Sequence, residues 1–131
     1  NNHAKLANFG LLKLVNLKSY DDVKKQFPSS FMFMAPEVAK CADDLDDKVD
    51  VYAFGIVLYF ILSGGEYPKL NENDQNPLKI EIDFSVFPDG FDPNAKSLFE
   101  KCCAIDKNNR FSFAEIVDFL NENSLFIDQQ K

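Results

Sequence analysis

Residues 47–62 constrain this chain more than any other stretch. Val49, Val51, Phe54, Ile56, Val57, Leu58, Phe60, Ile61 and Leu62 would spread apolar side chains round almost the whole circumference of a helix. A helix that is apolar on every side belongs at the centre of a domain, with other helices packed about it. The β-branched residues in the run also permit a strand, but its length favours a helix. The stretch is too short to cross a bilayer and carries Asp50 near its start. Ser63-Gly64-Gly65 stops it.

A chain of 131 residues can surround such a helix only once, as one modest domain. Hydrophobic residues make up 46% and charged residues 27%, a globular balance. Lys and Arg number 14 against 21 Asp and Glu, so the net charge is −7. That sign argues against a nucleic-acid partner and against a domain held on anionic lipid. Cys41, Cys102 and Cys103 form no even framework and read as reduced thiols of an intracellular, cytoplasmic protein. With a single His, they leave too few soft ligands for a zinc site. No leader segment is legible at Asn1, and the start reads as the interior of something longer.

The remaining elements follow from local signals. His3–Ala7 suits a short strand closed by the turn Asn8-Phe9-Gly10. Leu11–Phe33 has no clean period and reads as a long mobile loop, its 18–30 part polar with one Pro. Pro36 opens a short helix, with Glu37 favoured at its positive end. Asp43-Asp44-Leu45-Asp46-Asp47 lacks the Gly and closing Glu of a calcium loop. It reads as a solvated loop ending in Asp47 as a helix N-cap. A polar, Asn-rich connection runs from Glu66 to Asn76. Asp92-Pro93 starts another helix, with Ala95, Leu98, Phe99 and Cys102 on one face. Ser112-Phe113-Ala114-Glu115 is a capping box, with Phe111 and Ile116 as its staple and Phe119 and Leu120 continuing the apolar face. Adjacent Cys102 and Cys103 point to different faces and read as packed thiols rather than a redox pair. The expected fold is mainly α, with a buried central helix and at most a short N-terminal strand.

Taken together, four blocks resemble the C-terminal lobe of a eukaryotic protein kinase, nearest to the tyrosine-kinase-like serine/threonine kinases. Ala4-Lys5-Leu6-Ala7-Asn8-Phe9-Gly10-Leu11 is similar to the strand and magnesium-binding DFG turn that open the activation segment. Met34-Ala35-Pro36-Glu37-Val38 resembles the APE motif that closes it. Lys48–Leu58 is similar to the family's buried central helix. Leu98–Cys102, through Asp106 and Arg110 to Glu115-Ile116-Val117, resembles its last two helices. The resemblance implies a partial kinase domain over 1–131, with the activation segment at 1–37 and the helical lobe at 38–131.

The same resemblance assigns roles. Arg110, the only Arg in the chain, reads alone as a surface charge; the resemblance implies a structural pair with Glu37. A planar guanidinium can grip a carboxylate bidentately where desolvation makes geometry count. Asp50 is either a carboxylate favoured by the helix N-terminus or, as the resemblance implies, a support for the catalytic loop. Ser30 keeps a hydroxyl at the substrate-facing position. Ser19, Tyr20 and Ser29 also carry hydroxyls in this segment, but the family's phosphate-binding Arg is absent, which disfavours a phospho-switch. Asn8 stands where the family has its magnesium Asp, and an amide brings no charge to a hard dication. Phe33, Cys103 and Phe111 replace the family's usual Tyr or Trp, Trp and Pro.

Phosphoryl transfer in this family needs a glycine-rich loop, a strand Lys and a catalytic loop. No Gly-x-Gly-x-x-Gly and no His-Arg-Asp occur in the 131 residues. The intact family domain uses ATP and Mg, whereas no cofactor is expected for this chain alone. Three readings follow: part of an enzyme that phosphorylates protein Ser/Thr, a pseudokinase-type module that binds a protein or a partner kinase, or a truncated product with no selected role.

Overall fold

The computed structural model describes residues 20–26, 30–40, 42–70, 80–81, 83–87 and 92–123. The expected strand at 3–7, the turn at Asn8 and the apolar triplet 125–127 lie outside the described residues. Among the described residues five α-helices follow in order: α1 (Tyr20–Gln26), α2 (Pro36–Ala39), α3 (Lys48–Leu62), α4 (Pro93–Cys102) and α5 (Phe113–Glu122). The fold is mainly α.

Helix α3 lies at the centre. Val51, Tyr52, Gly55, Ile56, Leu58 and Tyr59 are buried along it. Leu98, Phe99 and Cys102 of α4, Cys103 after it, Ile116 of α5 and Ala35 and Val38 around α2 pack with α3 in the core, and Ala95 of α4 is buried as well. Tyr59 ties this core to the segment before α4: its ring meets Phe87 and Phe99 at 5.0 and 5.3 Å between centroids. Its hydroxyl donates to the Asp83 carbonyl at 3.2 Å.

Local chemistry accounts for the helix ends. Gly64 and Gly65 take φ of 77° and 109°, which lets the Gly65 N–H reach the Phe60 carbonyl and the Gly64 N–H reach that of Ile61. That is the left-handed stop that a side chain resists. Asp92 caps α4 by accepting from the Asn94 N–H at 2.8 Å. Ser112 and Glu115 form the reciprocal capping box of α5.

Four details differ from the sequence reading. Within the stretch read as a long loop, residues 20–26 are helical, because Asp21 and Asp22 in the first turn and Lys24 and Lys25 in the last complement the helix dipole. Asp47 occupies the N-cap place of α3 without a side-chain cap bond, and the Asp46 carboxylate instead accepts from the Lys48 N–H at 3.0 Å. Helix α3 is not covered all round. Asp50, Phe54, Val57 and Ile61 share one stripe, on which Val57 and Ile61 are exposed and Phe54 is half-buried. Finally, Lys69–Leu70 (β1) and Ile80–Glu81 (β2) pair antiparallel, in register Lys69 with Glu81 and Leu70 with Ile80. A two-residue ladder is too short to leave a period-two pattern.

Gly55 of α3 lies hard against Cys102 at the end of α4 and Cys103 just after it. A Cβ there would sit 2.8 Å from the Cys102 Cβ and collide with the Cys103 sulfur as well. Alanine gains about 1 kcal/mol over glycine in a helix interior, while overpacking a core costs about 1–3 kcal/mol. The obstacle at Cys102 is a Cβ close to the main chain, so the upper end applies. Gly55→Ala is therefore expected to lose about 2 kcal/mol, read as a lower urea midpoint at unchanged slope. A midpoint at or above the parent's would refute the close approach.

Candidate functional site

The most extensively bonded polar cluster among the described residues centres on Arg110, whose main chain follows the 3₁₀ turn Lys107–Asn109. Its guanidinium reaches back across the bundle to the first turn of α2. Nη1 lies 2.6 Å from Glu37 Oε1, and Nη2 lies 2.9 Å from Glu37 Oε2. Nε donates to the Ala104 carbonyl at 2.7 Å. The second protons of Nη1 and Nη2 go to the carbonyls of Lys48 and Ile105, at 3.0 and 3.3 Å. An arginine has five N–H donors, and each has an acceptor here.

Burial makes this satisfaction matter. The Arg110 side chain is 0% exposed and that of Glu37 12%. Withdrawing such charges from water costs several kcal/mol each, so the pair is tolerated only where remaining donors and lone pairs are met. The face of Tyr52 lies 5.1 Å below the guanidinium carbon and shields it from solvent. Burial raises the Tyr52 phenol well above its ordinary pKa, so the ring beneath the cation stays neutral. Breaking the pair from one side leaves a buried charge uncompensated.

A second contact was invisible in the sequence. Lys107 Nζ bridges Asp44 at 2.9 Å and Asp46 at 3.1 Å, and also donates to the Asp44 carbonyl at 2.6 Å. The acidic stretch is exposed but tethered. No spacing rule joins residues this far apart, and the isolated Lys107 carries no local signal. Beside it, Pro36, Glu37, Lys40, Ile105 and Asp106 line an open cleft of about 250 Å³.

The remaining site residues do not converge. Ser30 is exposed and begins the 3₁₀ turn Phe31–Phe33 without a side-chain cap bond. Asp50 is exposed, and its carboxylate makes no hydrogen bond among the described residues. Asn8 lies outside them. Cys102 and Cys103 are free and buried. Burial pushes the Cys102 thiol up to about 12 and the Cys103 thiol well above its ordinary value, so neither ionises near neutrality. Among the described residues no His, Cys, Asp or Glu group gathers to hold a metal ion. Nor is any helix of theirs long and apolar enough to cross a membrane.

The described residues thus form a mainly helical body in which the Arg110 guanidinium is fully bonded. The chain belongs to the protein tyrosine and serine/threonine kinase family, whose model matches residues 1–120. It is 35% identical over 125 residues to the serine/threonine-protein kinase VIK of Arabidopsis thaliana, covering 92% of this chain and 28% of that protein. To the dual specificity protein kinase shkE of Dictyostelium discoideum it is 30% identical, over 90% of this chain and 17% of that protein. To the tyrosine-protein kinase csk-1 of Caenorhabditis elegans it is also 30% identical, over 89% and 22%. The chain thus spans less than a third of the length of these relatives.

Two outcomes test this geometry. Arg110→Met strands Glu37 and three carbonyls and is expected to cost about 3–5 kcal/mol. Arg110→Lys keeps the charge but not the fork and recovers only part of that. Equal urea midpoints for parent and Lys variant would show that the fork is not formed. Separately, hydrogen bonds from Lys107 hold the Asp44 and Asp46 carboxyls below the usual aspartate value. Folded-state values that are depressed contribute stability above the unfolded value, and that contribution is lost as pH falls through the folded one. Lys107→Met should therefore raise both carboxyl midpoints in an NMR titration. Unmoved midpoints would mean that the bridge is absent in solution.

Proposed function

We propose that residues 1–131 form part of a protein kinase domain: an activation segment over 1–37 and the helical lobe that supports a protein substrate over 38–131. In the intact domain the activity is ATP-dependent phosphorylation of protein Ser and Thr hydroxyls. The observation that carries this reading is the buried Arg110–Glu37 pair. It anchors the end of the segment bearing exposed Ser30 to the rigid α3–α4 core, which is what a platform for a protein substrate requires. On this reading Glu37 and Arg110 are a structural clamp, and Asp50 is left outward to meet a catalytic loop.

Nucleotide chemistry is not built from the residues described. Bound MgATP would supply the transferable phosphoryl group and the neutralising cation; this chain contributes the platform. Asn8, at the magnesium position, offers an amide oxygen without charge, and no glycine-rich loop or His-Arg-Asp lies within the 131 residues. By itself the chain is proposed to be inactive, in a cytoplasmic setting that the free, buried thiols support.

A second reading, a pseudokinase-type module that binds a protein or a partner kinase, is favoured by the same Asn8. Exposed Val57, Ile61, Phe113 and Val117 add apolar surface to it.

The 131-residue chain is expected to show neither a Mg-dependent thermal shift with ATP nor transfer of labelled phosphate to a protein. Either signal overturns the proposed inactivity. Phosphoryl transfer by the full-length gene product separates the two readings. Transfer supports the enzyme, whereas its absence, restored by Asn8→Asp, supports the degenerate module.

A further inference from the structure

Lys48 is the first residue of α3, where the helix dipole disfavours a cation. Its side chain is nevertheless drawn inward and only partly exposed. Nζ donates to the Arg110 carbonyl at 2.7 Å, while Arg110 Nη1 donates to the Lys48 carbonyl at 3.0 Å. Each side chain thus holds the other residue's main chain, across 62 positions of sequence. The Glu115 carboxylate, whose pKa is lowered chiefly by its bonds to the Ser112 main chain and hydroxyl, is lowered a little further by Lys48.

We infer that Lys48 is a positioning residue for the Glu37–Arg110 pair, fixing the Arg110 main chain so that both guanidinium nitrogens face the Glu37 carboxylate. The inference rests on reading that pair as the anchor of the activation segment. Without the Lys48 bond, the turn carrying Arg110 is held by its own 3₁₀ bond to Lys107 and by the Phe111 N–H on the Lys101 carbonyl at 3.1 Å. Those bonds set its position along the chain. They hold the Arg110–Phe111 peptide unit from its N–H side alone, whereas the Lys48 bond holds it from the carbonyl side, and a tilt of that unit would turn a two-point grip into a single bond.

Because Arg110 is the only arginine, its side-chain N–H groups give unambiguous NMR signals in the 131-residue chain. In the parent, a gripped guanidinium should show slow solvent exchange at Nε–H and hindered rotation about the Nε–Cζ bond. Lys48→Met should speed both at least tenfold at Arg110, beyond any change in core backbone amides, and Lys48→Arg should restore them. Lys101→Met, whose ammonium sits 5.7 Å over the Phe111 ring instead, should leave them unchanged. If Lys48→Met does not fold, Lys48→Ala, which also lacks the donor, is read in the same way. A uniform rise in exchange across the whole protein, or an unchanged Arg110 signal, overturns the inference about Lys48 while leaving the pair intact. A freely rotating guanidinium in the parent overturns the pair itself, and the inference with it.

Discussion

The desolvated Arg110–Glu37 pair is the interaction on which the arrangement of the described helices depends. Two charges nearly out of water would be a net burden if any donor were left over. Here the guanidinium spends its five donors on one carboxylate and three carbonyls, those of Lys48, Ala104 and Ile105. Those acceptors belong to the start of α2, the start of α3 and the turn after α4. One side chain therefore holds three segments at fixed distances from one another, a task no apolar contact performs with the same directionality.

Around this polar centre the packing is of a different kind. Helices α3 and α4 meet through a glycine and two buried thiols, and small groups let the backbones come close. The aromatic rings of Tyr59, Phe87 and Phe99 fill the space at the other end of the contact. Hydrophobic burial supplies most of the cohesion of such a core but tolerates sliding. The buried pair supplies register. Together they explain how a short segment such as α2, with four helical residues, is held in one place.

Much of this was legible beforehand, and the reason differs from element to element. The caps at Asp92 and Ser112 and the glycine stop after α3 are local: each is settled within about six residues by bonds whose partners are neighbours in sequence. The four inward residues of α4 follow from helical periodicity. Helix α1 was missed because its sequence signal is the placement of acidic residues in the first turn and basic ones in the last, within a stretch that has no clean apolar period, and the β1–β2 ladder because two residues make no pattern. Placing Glu37 and Arg110 side by side needed the family resemblance, since 73 positions separate them and nothing in composition links them. Asp50 shows the opposite limit: its odd placement in an apolar helix was visible, yet among the described residues its carboxylate has no partner.

By itself the sequence determined that α2 to α5 are helical, where α3 stops, which residues of α4 and α5 face inward and that the chain is acidic. These properties are decided by neighbouring residues and by the polarity of each side chain. Only the tertiary structure decided which charges meet: Lys107 with Asp44 and Asp46, Lys48 with the Arg110 carbonyl, and the guanidinium with its full set of acceptors. It also decided which apolar residues of α3 stay uncovered, because burial depends on what packs alongside. An electrostatic or packing energy is set by distance in space and by the water excluded from it, and neither quantity is written in the order of the residues.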